Sequence, residues 1–506
     1  MAQKYDIYLE KNTRILEIRF RRIIGYHMHM DYKTKGSFMN TNKETVDASP
    51  VKSFFVHMLT RDISLDDAIL DLLDNCIDGA IRLTPPEKNE DQNKYNGYEA
   101  KITISKTSFS IVDNCGGIPF DVLKNYAFRM GRIADYTESH LGTVGTFGIG
   151  MKRAIFKMGQ KCRLTTTDGK TEYVVEITPE WINNENDWNI PIDVQKSSSS
   201  DTCGTKIEIS NLNQGVSSQF DREKSSFITD LIGKISSTYA FILSKGFKIY
   251  VNDAPIKAKQ ITFAYDNKIK PYIFKSTKEI GNEKVDIFLT VGLTSPLLSS
   301  EELDEKDKNA KFSSQDAGWT VICNDRVVLY CDKTELTGWG EVPVPKYHTQ
   351  FISISGIVEF SSQNPELLPT TTTKRGIDTS NALYLSTKNI MREGTKYFTD
   401  LTNRYKGNEK NIRTSITAAK KYSFEKIKCE DAENLITFKK AQHKDGKIAR
   451  PNIPFPKNSE DNKKNISFKV EESELNIVSN FLNIDGQKPS YVGERAFKHV
   501  LKEAEK

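Results

Sequence analysis

The stretch Ser64–Arg82, SLDDAILDLLDNCIDGAIR, decides how the rest of the chain is read. Ser64 is a favoured helix N-cap, and Asp67 three residues on completes a shortened capping box. Asp66 and Asp67 fall in the first turn, where the helix dipole favours negative charge. Apolar residues recur at Ile69, Leu73, Cys76, Ile77 and Ala80, the spacing of a helical stripe. Asp67, Asp71, Asn75 and Asp78 share another face. Like charges one turn apart cost roughly 0.2–0.5 kcal/mol each, and no lysine relieves them between Asp62 and Ala80. Two readings stand: an acidic surface helix, or a face that meets a cation. Carboxylate and amide oxygens suit magnesium bound together with phosphates. Gly79 weakens the helix by about 1 kcal/mol, a cost that is sensible where something approaches closely.

The chain has 506 residues, 37% hydrophobic and 27% charged, with a net charge of +5. That length suggests roughly three domains. The charge permits nucleic-acid contact without arguing for it. Seven cysteines lie scattered without metal-ligand spacing, so reduced thiols and a cytoplasmic setting are expected. No run of eighteen apolar residues and no signal-peptide core occurs, so neither a membrane span nor export is expected.

Residues 1–48 form a basic, apolar arm that contains ILEIRFRRIIGYHMHM. It reads as a strand or helix added to the next domain, as a dimer arm, or as sequence upstream of a natural start at Met39. Residues 49–245 read as one α/β domain. A short helix, Val51 to Leu59, precedes the acidic one. KITIS (Lys101 to Ser105) and FSIVD (Phe109 to Asp113) alternate and form a hairpin. The second strand runs into Asp113-Asn114-Cys115-Gly116-Gly117-Ile118, whose glycines mark a sharp turn or a close backbone approach. A short helix near Phe120 to Phe128 follows.

Gly145-Thr146-Phe147-Gly148-Ile149-Gly150 stands directly before a helix from Met151 to Met158, with Gly159 as its C-cap. A glycine-rich turn that opens a helix exposes N–H groups at a positive dipole end and can cradle phosphate. Strands return at Lys161 to Thr166, Glu172 to Ile177 and Lys206 to Ser210, and a long amphipathic helix, Asp221 to Leu243, closes the domain.

Residues 246–380, with FKIYV, VDIFLTVGL, GWTVICN, RVVLY and FISISGIVEF, read as a strand-rich α+β domain. Asn324-Asp325-Arg326 is a hairpin turn within it, and LLPTTTTKRGID (Leu367 to Asp378) is an extended loop that presents Lys374. Residues 381–460 hold a helix from Asn381 to Tyr405, a helical stretch from Ile412 to Ile427 and a Pro-containing basic linker. Residues 461–506 form a small module of ISFKV, a helix around Glu471 to Phe481 and a second helix in VGERAFKHVLKEAEK.

Four stretches in order resemble the GHKL ATPases, the superfamily of gyrase B, the ninety-kilodalton heat-shock chaperones, histidine kinases and MutL. DLLDN followed by CID resembles their N-box, DNCGGI their second box, GTFGIGMK their glycine-rich box and CGTKIEI their fourth. The strand-rich domain with TTTTKRGID resembles the transducer domain of the gyrase, MutL and MORC branches. The implied fold is α+β: a Bergerat-type ATP-binding α/β sandwich, then a ribosomal-protein-like transducer domain, a linker and the small C-terminal module.

The resemblance implies the following roles. Asn75 holds magnesium against the phosphates, with Asp78 in the same nucleotide-binding box. Asp71 stands where most members have the glutamate that activates water, and is one methylene shorter. Asp113 accepts from the adenine amino group, while Gly117, beside Ile118, lets the base lie close and Thr205 helps nearby. Cys115 takes the place of the usual first glycine. Gly145, Phe147, Gly148 and Gly150 offer N–H groups to phosphates, with Thr146, Ile149, Met151 and Lys152 in the same box. Residues from about 129 to 147 form an ATP lid, and Lys374 reaches back to the γ-phosphate.

The implied ligands are ATP and magnesium, and the implied activity is slow ATP hydrolysis by a switch that dimerises when ATP is bound. The expected client is DNA, a protein or a partner subunit, in DNA transactions or defence, with no membrane involved. A nucleotide-binding module with little hydrolysis, because of Asp71, is the second reading. A histidine kinase is the third; His57 in FFVHMLT reads as part of a packed helix.

Overall fold

The computed structural model describes residues 51–85, 93–129, 149–185, 187–196, 203–299, 302, 316–371, 374–406, 408–433, 446–453 and 466–505. The arm at 1–48, most of the expected lid and Gly145, Thr146, Phe147 and Gly148 lie outside them. From Val51 onward the chain forms one compact unit.

Helix α1 (Lys52–Arg61) leads into α2 (Leu65–Leu83), the acidic helix. The Ser64 hydroxyl accepts from the Asp67 N–H at 3.4 Å, as its N-cap position predicts. Strands β1 (Glu99–Ile104) and β2 (Ser108–Asp113) form the expected hairpin. Short α and π turns, Phe120–Val122 and Leu123–Ala127, follow. Then come α3 (Gly150–Met158), β3 (Gly159–Thr167), β4 (Thr171–Ile177), α4 (Pro179–Asn183), β5 (Ile192–Lys196) and β6 (Gly204–Leu212).

After α5 (Gln214–Phe220), the long helix expected from Asp221 to Leu243 is two, α6 (Phe227–Thr238) and α7 (Ala240–Ser244). Strand β7 (Lys248–Val251), read from sequence as the start of the second domain, instead runs parallel to β1 and extends the first sheet, followed by β8 (Ala254–Pro255). The first sheet has the order β5-β4-β3-β6-β2-β1-β7-β8. Gly159 does not end α3 in a left-handed cap; its backbone is extended and starts β3. A Cβ there would lie 2.8 Å from the Ser210 carbonyl oxygen, so close strand packing explains this glycine.

One face of this sheet carries the helices. Along β1, Ala100, Ile102 and Ile104 point inward while Lys101 is exposed. The inward set joins Ile69, Leu73 and Ile77 of α2, Ile155 of α3 and Leu231 and Ile235 of α6 in one core. Each such side chain contributes about 1.5–3 kcal/mol on burial, which makes α2 the centre of the layer. From Ala68 to Ile81 every α2 residue is buried except Asn75. The surface-helix reading is therefore incorrect: Asp71, Asp74 and Asp78 are buried.

The second sheet follows β9 (Thr262–Tyr265) and comprises β10 (Tyr272–Ile280), β11 (Glu283–Leu293), β12 (Gly318–Cys323), β13 (Arg326–Asp332) and β14 (Ile354–Ser361). Helix α8 (Ala382–Arg404), capped by Asn381, covers one face. The stretch expected as one helix divides into α9 (Lys410–Ala418), β15 (Lys420–Ser423) and α10 (Phe424–Glu433), because β15 pairs with β9. Strand β16 (Lys447–Ala449) completes the sheet order β13-β12-β14-β11-β10-β16. ISFKV carries no strand; beyond it lie α11 (Glu472–Phe481) and α12 (Pro489–Ala504).

Both faces of the second sheet are buried, which is why its strands read as nearly continuous apolar runs. In β11, Val285, Ile287, Leu289 and Val291 face α8, while Phe288 faces a separate core with Phe241 of α7 and Phe424 of α10. That smaller core joins the two sheets. Polar contacts at the β12–β13 turn join them again. Asn324 and Asp325 have φ of 47° and 67°, the left-handed pair of a tight hairpin turn. Asp325 is buried against the first half of the chain, where it accepts from the Tyr95 hydroxyl at 2.8 Å and pairs with Lys94 at 3.3 Å and with Lys245. Burial pushes its carboxyl up, but Lys245 and Lys94 more than offset this and hold it well below the usual range.

Asp325→Ala leaves two lysines facing a buried void and should destabilise the protein by about 3–5 kcal/mol, read from chemical denaturation. The depressed folded pKa means that the Asp325 contribution is complete above the unfolded value of about 3.9 and is lost as pH falls below it. The wild type should therefore lose stability more steeply than Asp325→Ala on acidification from about pH 5. Parallel acid curves would show that this turn bears no load.

Candidate nucleotide site

Helix α2 carries two chemically different ends. At its C-terminal half it meets the turn after β2. The Asp113 carboxylate accepts from the Cys115 N–H at 2.8 Å and from the Thr205 N–H at 3.3 Å. Burial raises its pKa against the pull of these bonds. Gly116 and Gly117 have φ of 91° and 71°, which a side chain would strain. A Cβ at Gly117 would also lie 2.4 Å from the Thr167 carbonyl oxygen, and one at Gly79 would lie 2.6 Å from that of Cys115. The close approach expected at Gly79 is thus the turn itself, packed onto the helix.

Thr166 of β3, which the sequence did not single out, ties this end together. Its hydroxyl accepts from the Ile118 N–H at 2.7 Å and lies 3.1 Å from the Thr205 hydroxyl. Asp113, Gly117, Ile118 and Thr205 are therefore gathered at one place, with a carboxylate acceptor beside a side-chain-free backbone. Such an arrangement can read a flat base that carries an amino donor.

At the N-terminal half of α2 the neighbours are cations. Asp74 is fully buried and accepts from the Tyr239 hydroxyl at 2.8 Å and from Arg326 Nε at 2.8 Å; Lys374 Nζ lies 3.1 Å from its other oxygen. Burial alone would raise its pKa, but Arg326 and Lys374 reverse the sign and hold it down. Lys374 stands at a loop tip with φ of 57°, uncommon for a side chain of this length. The loop is pinned by Lys374 N–H to the Thr371 carbonyl at 2.8 Å and by Thr371 N–H to the Gly376 carbonyl at 3.0 Å. That geometry brings Lys374 to Asp74 of α2.

Asp71 meets Arg153 of α3 at 2.6 Å and Arg375 at 3.4 Å. Arg375 also lies 3.0 Å from Asp67. A Cβ at Gly150 would lie 3.3–3.4 Å from Asp71, so α3 opens directly against this carboxylate. Ile149 and Met151 flank that opening and are half-buried. Lys152 turns elsewhere: its buried amine donates to the carbonyls of Ala127 at 3.1 Å and Arg129 at 2.5 Å, and desolvation lowers its pKa to about 8. Arg153, one residue on, is the basic group of that helix that reaches Asp71.

Three cations at this end were missed in the sequence. Arg326 was read only as part of a turn, Arg375 only as a neighbour of Lys374, and Arg153 not at all. No local signal could have found them, because their partners lie 82, 252 and 304 residues away in sequence. Asn75 projects between the two ends and, being exposed, has its amide oxygen free to meet a hard cation carried by phosphate. An anion with its magnesium fits a site with this surplus of cationic donors.

Residues 63–207 match the family described as histidine kinase-, DNA gyrase B-, and HSP90-like ATPase. That span runs from just before α2 through Thr205; it contains Asp71, Asp74, Asp113 and Arg153, whereas Arg326, Lys374 and Arg375 lie beyond it. A comparison with curated proteins gives no match. Among the described residues no helix is long and apolar enough to cross a membrane. The mixed α+β architecture and the family match together identify residues 63–207 as an ATPase domain of the GHKL superfamily.

Proposed function

We propose that this protein is a magnesium-dependent ATPase that works as a conformational switch, closing into a homodimer when ATP is bound and acting on a DNA or protein client. The observation that supports it best is that a single helix, α2, packs the turn after Asp113 on its C-terminal half and holds the loop residue Lys374 at Asp74, in its middle.

In this reading Asp113 accepts from the adenine amino group, and Gly117 keeps the base against backbone. Gly150 and the residues before it supply N–H groups to the phosphates. Asn75 would hold the magnesium, which supplies charge neutralisation at the phosphates. Asp71 orients the attacking water and takes its proton. Lys374 reports the terminal phosphate to the second sheet, which serves as transducer. A cation that exchanges Asp74 for phosphate gives ATP a contact that ADP lacks, which is what a switch requires.

A second reading, a nucleotide-gated scaffold with little turnover, is favoured by one specific observation. Asp71 is short, and both of its oxygens face arginine.

Magnesium-ATP should raise the melting temperature by mass action, and Asp113→Asn should remove most of that shift because an amide can turn a donor toward the adenine amino group. An unchanged shift would refute the adenine assignment. Asp71→Ala should retain ATP binding and lose about 10²–10⁴-fold in phosphate release, the usual contribution of a general base. Undiminished turnover would move the base to another residue; wild-type binding without any turnover would select the scaffold reading. Lys374→Ala should weaken ATP-dependent dimerisation, followed by light scattering, with ADP affinity within about twofold of wild type. Equal losses for both nucleotides would contradict a role at the terminal phosphate.

A further inference from the structure

Both oxygens of Asp71 are engaged by arginine. Arg153 Nη2 lies 2.6 Å from Oδ2, and Arg375 Nη2 lies 3.4 Å from Oδ1. A water that approaches this carboxylate competes with two guanidinium groups for it.

The two contacts are unequal. The Arg153 bond is short and charge-assisted, whereas the Arg375 contact is at the limit of hydrogen bonding. Arg153 belongs to the first turns of α3, which packs closely against Asp71: a Cβ at Gly150 would lie 3.3 Å from it. Arg375 sits on a loop, directly after Lys374 with its φ of 57°.

Arg375 is also poorly satisfied where it is. Its Nε lies 3.0 Å from Asp67 but is not aligned to donate, and has no hydrogen-bond partner. Burial, together with the like charges of Arg153 and Arg326, disfavours its charged form, against the pull of Asp67 and Asp71. Its side chain is 19% exposed, enough to reach a ligand, whereas Asp71 beneath it is 5% exposed.

We propose that Arg375 is an exchangeable guard on Asp71: it covers the carboxylate until a nucleoside triphosphate arrives, then moves to the terminal phosphate, while Arg153 stays and positions the freed carboxylate. This rests on the ATPase reading above and adds a regulatory step to it. The exchange costs the protein one ion pair and gains one with a more highly charged, oxygen-rich anion, so it proceeds only when that phosphate is present. Arg153 fixes the direction in which the short side chain faces, and Arg375 sets when it is free. Futile water activation with ADP in the site is thereby suppressed.

The test is a double-mutant cycle on binding, which isolates a pairwise coupling. Affinities for ADP and for a non-hydrolysable ATP analogue are measured with magnesium in the wild type, Asp71→Asn, Arg375→Ala and the double variant. Asp71→Asn releases the guard and should raise analogue affinity. That gain should be at least about threefold larger with Arg375 present than in the Arg375→Ala background. ADP affinity should show no such coupling.

If Arg375 only screens Asp71 and stays put, the order reverses, because removing the screen exposes the phosphate to a fuller repulsion. A gain that is equal or larger without Arg375 overturns the proposal, as does equal coupling for ADP. Binding of neither nucleotide by the wild type overturns the ATPase reading and the guard with it; binding of both without coupling overturns the guard alone. Arg375→Met, which keeps the apolar stem, replaces Arg375→Ala if the latter melts early.

Discussion

Asp74 is the charge on which the arrangement depends. It is a fully buried carboxylate in the middle of α2, and it survives there because Tyr239, Arg326 and Lys374 converge on it. Tyr239 comes from the first half of the chain, Arg326 from the hairpin of the second sheet and Lys374 from a loop far beyond. An uncompensated carboxylate at this depth would cost several kcal/mol. Each partner is therefore held in place by the need to neutralise the same group, and the two sheets are held with them. The relation also runs the other way: anything that offers Lys374 a better anion loosens the junction.

Asp71 and Asp67, one and two turns earlier in the helix, repeat the theme with weaker and more exposed pairs to Arg153, Arg375 and Lys234. The acidic stripe is thus neither a solvated face nor a bare cation cradle. It is a charge ladder already matched by cations, deepest at Asp74 and shallower toward Asp67. That gradation suits a site that must hold its shape when empty and still respond to a phosphate.

Much of the ATP-binding half was legible because local chemistry and tertiary role coincide there. Ser64 caps where its position says it should, the β1–β2 hairpin alternates in step with its burial, and the glycines after Asp113 adopt the left-handed backbone that only glycine accepts freely. The turn that gathers Asp113, Gly117 and Ile118 followed from these signals. The cationic end did not, because Arg153, Arg326 and Arg375 owe their importance to partners 82, 252 and 304 residues away in sequence. No local pattern distinguishes such an arginine from a solvated one. The same non-locality explains the mistaken boundary at 245, where β7 finds its parallel partner in β1, and the helix that divides around β15 to pair with β9. Thr166 was missed for a simpler reason: a threonine in a β-strand looks ordinary until its hydroxyl is seen to meet a backbone N–H at a turn.

The account makes its sharpest commitment about where a nucleotide lies along α2, and a crystal structure with magnesium and a non-hydrolysable ATP analogue tests it most directly. The prediction is an adenine amino group on Asp113 and the terminal phosphate against Lys374, with the Lys374–Asp74 contact opened. A nucleotide bound elsewhere, or one bound here with Lys374 still seated on Asp74, would contradict the claim that this helix couples ATP to the second sheet.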